Sequence, residues 1–136
     1  MMMRKEIEKF QAQAVERTKE ELLKRAQNVN GVQVIKAVLP LEPAAAKDLA
    51  FKLRENISEN LVVVIGSTAG NKPLLTVMFS DDMVKDHSLN AGTIIREAAK
   101  LIQGGGGGQP HYAQAGGKNL DGISAAVDKV IELANL

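Results

Sequence analysis

The sequence predicts an α/β (α+β) fold: a mixed sheet of about three to five strands covered by helices and preceded by a long N-terminal helix. Three β-branched, apolar runs, at residues 32–39, 61–65 and 74–79, are typical of strands. Apolar residues recur at helical spacing between and after them. With 136 residues, 45% of them hydrophobic, the chain can form one compact domain. We therefore divide it into an N-terminal helix, residues 1–30, and a globular domain, residues 31–136.

The first thirty residues contain no glycine or proline, so we expect a helix of up to about 27 residues that ends at Asn30 and Gly31. Its apolar stripe repeats about every 3.67 residues, the period of a straight helix rather than of a coiled-coil heptad. Because the stripe is narrow, two alternatives stay open. The helix packs on its own domain, or it forms an oligomer or inter-domain contact such as a homodimer through residues 1–30.

A buried central strand is the clearest local prediction. The uninterrupted apolar run at 61–65, with Val63 at its middle, is typical of a strand covered on both faces. The short connection at 70–73 predicts that the strand at 74–79 pairs with it in the antiparallel direction.

Helices are predicted at three further places. Pro43 lies near the first turn of a helix whose apolar positions run over 46–57. A second amphipathic helix covers 91–102 and ends at a glycine. The last helix covers 123–134, and we expect Asp121 to cap its N-terminus.

Composition excludes several classes of function. Seventeen basic and sixteen acidic residues leave a net charge of +1, so a nucleic-acid or membrane contact must be local. The absence of cysteine excludes disulfides, a thiolate nucleophile and sulfur-ligated zinc. Three Phe and one Tyr are too few for a base-stacking platform. Because no apolar run suits a membrane span or a signal peptide, we expect a cytoplasmic protein with no membrane partner.

One acidic cluster has the residue types of a metal or acid–base site: Asp81, Asp82, Asp86 and His87. It follows Ser80 in a sequence typical of a helix-capping turn. We interpret it as structural and predict neither a catalytic residue nor a metal site in this chain.

The most unusual stretch is residues 104–118, which contains seven glycines, five of them consecutive, and a single charged residue, Lys118. An ordered glycine costs roughly 0.5 to 1 kcal/mol more than alanine, so an ordered run needs a reason. Three alternatives remain: backbone amides that converge on an anion such as phosphate, backbone packed closely against a helix, or a slack linker. For an ordered segment, we expect Gly106 or Gly107 to need a positive φ angle.

The spacing excludes the common nucleotide loops. The sixth position of G-x-G-x-x-G falls on Gln109, Pro110 or His111, and the segment follows a helix rather than a strand. A Walker loop needs Ser or Thr after Lys118 and glycine six residues before it, where Tyr112 stands.

A more specific pattern surrounds the glycines. Asn90-Ala91-Gly92 starts the preceding helix, and Gln109-Pro110, an apolar Ala113 and Gln114-Ala115-Gly116-Gly117 follow the run. This pattern resembles the C-terminal domain of alanyl-tRNA synthetase, one of the domain group attached to DHH-type phosphoesterases. The resemblance is close over residues 61–136. DHH phosphoesterases usually place His directly after the glycines, so Gln109 favours the synthetase.

The resemblance implies a non-catalytic domain that holds alanine-specific tRNA while upstream domains of the same protein aminoacylate and edit it. ATP and zinc are implied only for those upstream domains, and none is implied for this chain. The implied partners are tRNA and the other synthetase domains. The tRNA-contacting residues implied are Gly104, Gly105, Gly106, Gly107, Gly108, Gln109, His111, Gln114, Gly116, Gly117 and Lys118.

Individual side chains in this segment suggest different roles. Lys118 is expected either to contact a phosphate or to be a solvated lysine, and His111 either to contact RNA or to be structural. We expect Tyr112 to pack in the core and Gln114 to satisfy backbone groups of the glycine segment. Two other functions stay open: the substrate-clamping domain of a DHH-type phosphoesterase, and a purely structural oligomerisation module.

Overall fold

The computed structural model of the chain describes residues 16–29, 31–86 and 89–134. No helix within these ranges is both long enough and apolar enough to span a bilayer. The elements, in chain order, are α1 (its described part, residues 16–25), β1 (Gln27–Val29), β2 (Val32–Leu39), α2 (Pro43–Asn56), β3 (Leu61–Ser67), β4 (Leu74–Phe79), α3 (Asp81–Asp86), α4 (Ala91–Ala98), β5 (Gly105–Gly108), β6 (Tyr112–Gly116) and α5 (Ile123–Leu133).

The strands form one mixed sheet in the order β1-β2-β3-β4-β6-β5. β2 and β3 are parallel and are connected by α2, whereas every other neighbouring pair is antiparallel. The predicted fold class and the antiparallel pairing of β3 with β4 are confirmed. The strand count is six rather than three to five, because the sequence pattern did not indicate β1, β5 or β6.

The sheet is covered on both faces, with β3 inside it. All seven residues of β3 are buried, and Val63 is 0% exposed, as the apolar run predicts. Side chains alternate between the faces: Val62 and Val64 join a core with α4 and α5, while Val63 and Ile65 join a second core with α2. A carboxylate at either set of positions would be buried without a partner.

The predicted end of the N-terminal helix is wrong. The helix stops at residue 25, and β1 pairs with the edge of β2 through a turn at Gly31, whose amide donates to Asn28 Oδ1 at 3.0 Å. Strand pairing satisfies backbone groups that are otherwise left open at the edge of β2. Within α1, Leu22 is buried in the core formed with α2. Residues 1–15 lie outside the described residues, so the homodimer contact stays a prediction.

The predicted N-termini of the helices agree with the structure at two places and differ at a third. Pro43 is the first residue of α2, and Asn90 caps α4 by accepting from the Thr93 amide at 3.1 Å. At α5 the predicted cap is wrong, because Gly122 rather than Asp121 stands at the N-cap. A 3₁₀ turn over Leu120–Gly122 leads directly into the helix, so no extended residue is present whose side chain reaches back to the first amides.

Candidate nucleic-acid interface

The glycine segment is an ordered β-hairpin. Gly105–Gly108 form β5, Tyr112–Gly116 form β6, and the strands pair so that Gly105 lies opposite Gly116 and Gly108 opposite Ala113. The Gln109 amide donates to the Tyr112 carbonyl at 2.8 Å, which closes the turn. The slack-linker alternative is therefore wrong.

Glycine is required at alternate positions for steric reasons. A Cβ atom on Gly106 would meet the Gln114 carbonyl oxygen and lie 2.6 Å from Ala115 Cα, and one on Gly108 would lie 2.7 Å from Ala113 Cα. A Cβ on Gly105 would meet nothing within 4 Å. The expectation of a positive φ at Gly106 or Gly107 is wrong, because the strand is extended and close approach of the backbone alone excludes side chains.

Helix α4 holds the hairpin from one side. The Ala91 amide donates to the Pro110 carbonyl at 2.8 Å, which ties the hairpin turn to the first residue of the helix. A Cβ on Gly92 would lie 2.9 Å from the Gly108 carbonyl oxygen, so a larger residue at position 92 would push the helix away. The alternative of glycine backbone packed against a helix is therefore confirmed.

The hairpin distributes the residues named for the tRNA site over two ends. At one end, Gly104, Gly105, Gly116, Gly117 and Lys118 line a pocket of about 800 Å³. Gln109 and His111 lie in the turn at the opposite end of the hairpin. The two ends are about 13 Å apart, the length of a four-residue strand. A ligand that contacts both ends must be extended, as a nucleic-acid strand is.

The phenol of Tyr112 packs into the core, as predicted. Its ring centroid lies 5.2 Å from that of Phe51. Burial raises the pKa of Tyr112 to about 12, and its buried hydroxyl has no hydrogen-bond partner among the described residues. The position anchors β6 to α2 rather than offering a stacking face.

The role expected of Gln114 is wrong. Its Nε2 donates to Thr76 Oγ1 at 3.2 Å and to the Pro43 carbonyl at 3.4 Å, rather than to the glycine backbone. The reason is the register of β6 on β4, which places Gln114 beside Thr76 on the face that α2 covers. Gln114 therefore joins the sheet to the start of α2.

Four basic side chains surround the hairpin. The Lys47 ammonium lies 6.0 Å from the centroid of the Tyr112 ring, and the Arg96 guanidinium lies 3.7 Å from the position of a Cβ on Gly107. Lys72 and Lys118 are exposed at the pocket. Within the described ranges none of the four has an acidic partner within 4.0 Å.

Sequence reasoning identified only Lys118 of these four. The other three come from separate elements, two helices and the turn before β4, and no local pattern relates their positions to the glycine segment. Lys47 and Arg96 each interrupt an apolar helical pattern with a charge, whereas Lys72 lies in a turn and gives no such signal.

The acidic cluster has structural partners. Asp81 forms an ion pair with Arg54 at 2.7 Å, and Asp82 accepts the Asn60 amide at 2.9 Å. Burial acts to raise the pKa of Asp82, but hydrogen bonds to its carboxylate, including that from Asn60, outweigh it and lower the pKa. His87 lies outside the described residues, and among those described no three potential metal ligands come together.

Comparison with known proteins places the chain in a domain family. Residues 30–136 match the DHHA1 domain, and the chain belongs to that family. The curated relatives it resembles are alanine–tRNA ligases: it is 53% identical to that of Bacteroides fragilis over 134 residues and 51% identical to that of Bacteroides thetaiotaomicron. Each alignment covers 98% of this chain and 15% of the relative. The chain thus spans about 15% of the length of these relatives.

One solved structure is similar to this chain over most of its length. The C-Ala domain from Aquifex aeolicus alanyl-tRNA synthetase superposes with a TM-score of 0.70 at 33% identity, over 82% of this chain and 98% of that one. The resemblance inferred from the sequence is confirmed. A second solved structure, a DHH domain from a member of a family of ribosomal proteins, superposes with a TM-score of 0.59 at 14% identity, over 92% of this chain and 31% of that one, and shows the fold alone.

Proposed function

We propose that this chain is the tRNA-binding, architectural C-terminal domain of an alanine–tRNA ligase, with the glycine hairpin as its RNA-facing surface. The observation that supports this best is an exposed glycine edge strand surrounded by four basic side chains without acidic partners among the described residues. The similarity to alanine–tRNA ligases and to a C-Ala domain supports tRNA as the nucleic acid that binds here.

The chemistry of the edge strand suits RNA phosphates. β5 pairs only with β6 in the described sheet, so the amides on its outer edge are left to donate to a ligand. Because these residues have no side chains, a phosphate can approach the backbone directly. Lys72, Arg96 and Lys118 neutralise neighbouring phosphates, and Lys47 extends the basic surface along α2.

The turn at the other end provides a rigid contact. The His111 carbonyl accepts the Phe79 amide at 2.8 Å, and the Pro110 carbonyl accepts the Ala91 amide. Both bonds fix the turn, so Gln109 and His111 meet the RNA without a large loss of conformational entropy.

The catalytic steps belong to the remainder of such a ligase. Aminoacylation with ATP and editing with zinc belong to its other domains, which are the partners of this one in the cytoplasm. This chain contributes the binding of alanine-specific tRNA.

A filter-binding titration tests the proposal. Alanine tRNA and bulk tRNA are each titrated at two salt concentrations against the wild-type chain and the variants Arg96→Ala and Lys118→Ala. Each variant should weaken binding of both RNAs and make the salt slope shallower by about one ion or less, because each removes one phosphate contact.

Lys129→Ala is the matched control, because it changes the net charge by the same amount as the two hairpin variants. Lys129 lies on α5, where its ammonium pairs with the Glu132 carboxylate at 3.7 Å. Wild-type affinity and slope in both hairpin variants, or an equal loss in the control, would exclude the hairpin as the RNA surface.

A further inference from the structure

The side-chain amide of Gln114 is held in one orientation. Gln114 lies in β6 and is only partly buried. Its Nε2 makes both contacts of the amide, at 3.2 Å to Thr76 Oγ1 and at 3.4 Å to the Pro43 carbonyl. Because the Pro43 carbonyl can only accept a hydrogen bond, the nitrogen of the amide and not its oxygen must face it. Both protons of the Gln114 amide nitrogen are therefore in use.

The oxygen of the same amide is left free. Gln114 Oε1 accepts no hydrogen bond from any described residue. It is also not one of the buried side-chain atoms that lack a partner, which in the described part of the chain are Ser67 Oγ, Asp82 Oδ1 and the Tyr112 hydroxyl. An oxygen that has no partner and is not buried must reach the surface. Gln114 thus presents a fixed hydrogen-bond acceptor to a ligand.

This acceptor lies on the surface that we propose to face RNA. Gly107 stands opposite Gln114 in the pairing of β5 with β6 and has no side chain that would cover it. Lys47 lies one turn of α2 from Pro43, whose carbonyl holds the Gln114 amide. A nucleic-acid backbone whose phosphate is neutralised by Lys47 therefore passes within reach of Gln114 Oε1.

The chemistry of an acceptor limits what it can bind. Phosphate oxygens are acceptors too, so Gln114 Oε1 cannot hold a phosphate. The hydrogen-bond donor of an RNA backbone is the ribose 2′-hydroxyl, which a DNA backbone lacks. A base amino group would need stacking to hold its base in place, and Tyr112, the aromatic residue two positions before Gln114, packs against Phe51 instead.

We propose that Gln114 Oε1 accepts a hydrogen bond from a ribose 2′-hydroxyl and thereby makes this surface prefer RNA to DNA. The inference rests on the proposed function and adds to it the chemical group that is recognised. Thr76 is the positioning residue, because its Oγ1 holds the amide nitrogen and so directs the oxygen outward.

Filter binding of alanine tRNA and of a DNA of the same sequence tests the proposal, at a low salt concentration where phosphate contacts hold both. The wild-type chain should prefer the RNA. Gln114→Met removes the acceptor and keeps the length of the side chain, so it should weaken RNA binding roughly fivefold and leave DNA binding unchanged. A purely structural role would weaken both to the same degree, so the ratio of the two affinities separates the two roles.

Two further variants examine how the amide is held. Thr76 is 0% exposed and cannot touch RNA itself. Thr76→Val should nevertheless lower the preference for RNA, by a smaller factor than Gln114→Met, because the Gln114 amide keeps the Pro43 carbonyl as an anchor. Gln27→Met, at an exposed position of β1 on the opposite edge of the sheet, is the matched control and should change neither affinity.

The outcomes separate this inference from the proposed function. An equal loss of RNA and DNA binding in Gln114→Met overturns the inference, because it assigns Gln114 to the fold or to a base that both nucleic acids carry. An unchanged preference for RNA in that variant, or equal binding of RNA and DNA by the wild-type chain, also overturns it and leaves the proposed function standing. A wild-type chain that binds neither nucleic acid refutes both.

Discussion

Adding one methyl group to neighbouring glycines of β5 should have opposite effects. A Cβ on Gly106 would lie 2.6 Å from Ala115 Cα and meet the Gln114 carbonyl, and backbone atoms cannot rotate out of the way. Overpacking of this kind costs about 2 to 3 kcal/mol. A Cβ on Gly107 would lie 3.7 Å from Arg96, an ordinary contact, so alanine there should stabilise the fold by about 0.4 to 1 kcal/mol through the unfolded chain.

Thermal unfolding of the wild-type chain, Gly106→Ala and Gly107→Ala measures the contrast. For a domain of this size the Gly106 variant should melt about 10 °C lower, and the Gly107 variant a few degrees higher, than the wild type. Because Gly107→Ala keeps the fold, tRNA binding by that variant reports the surface of β5 alone. Equal melting temperatures for the two variants would refute the steric account of the glycine run.

Three other perturbations follow from individual residues. Val63→Asp should unfold the domain, because an unpaired buried carboxylate costs several kcal/mol. Thermal melting followed by circular dichroism measures this, and a folded variant with an unchanged melting temperature would contradict the burial of Val63. Gln103→Gly should stabilise by about 1 kcal/mol because φ is 52° there, while Gln109→Gly, without a positive φ, should give no such gain in thermal melts. Burial raises the pKa of Tyr112 from 10.0 to about 12, so the folded chain holds this proton more tightly than the unfolded chain. The free energy of unfolding should therefore fall as pH rises from 10 to about 12, and it should fall less in Tyr112→Phe. If the phenolate absorbance of this single tyrosine titrated with the ordinary pKa of 10.0, the effect of burial on Tyr112 would be refuted.

The sequence alone determined those parts of the fold that follow from local periodicity. The apolar run of β3 predicted a buried strand, and helical spacing after Pro43 and after Asn90 predicted α2 and α4. It also carried the family resemblance, because the order of residues around the glycines is specific. These predictions succeeded because the burial of one face depends on a residue and its near neighbours in the chain.

Tertiary structure decided what the glycines form and which residues surround them. A run without side chains has no apolar period, so only pairing with β6 and the contact with α4 make it a strand. In the same way, the edge of β2 converted the end of the predicted first helix into β1. Ser67 and Lys72 meet the glycines only because β3, β4, β6 and β5 end side by side in the sheet. Such proximity depends on backbone pairing between distant segments, which the identity of neighbouring residues does not encode.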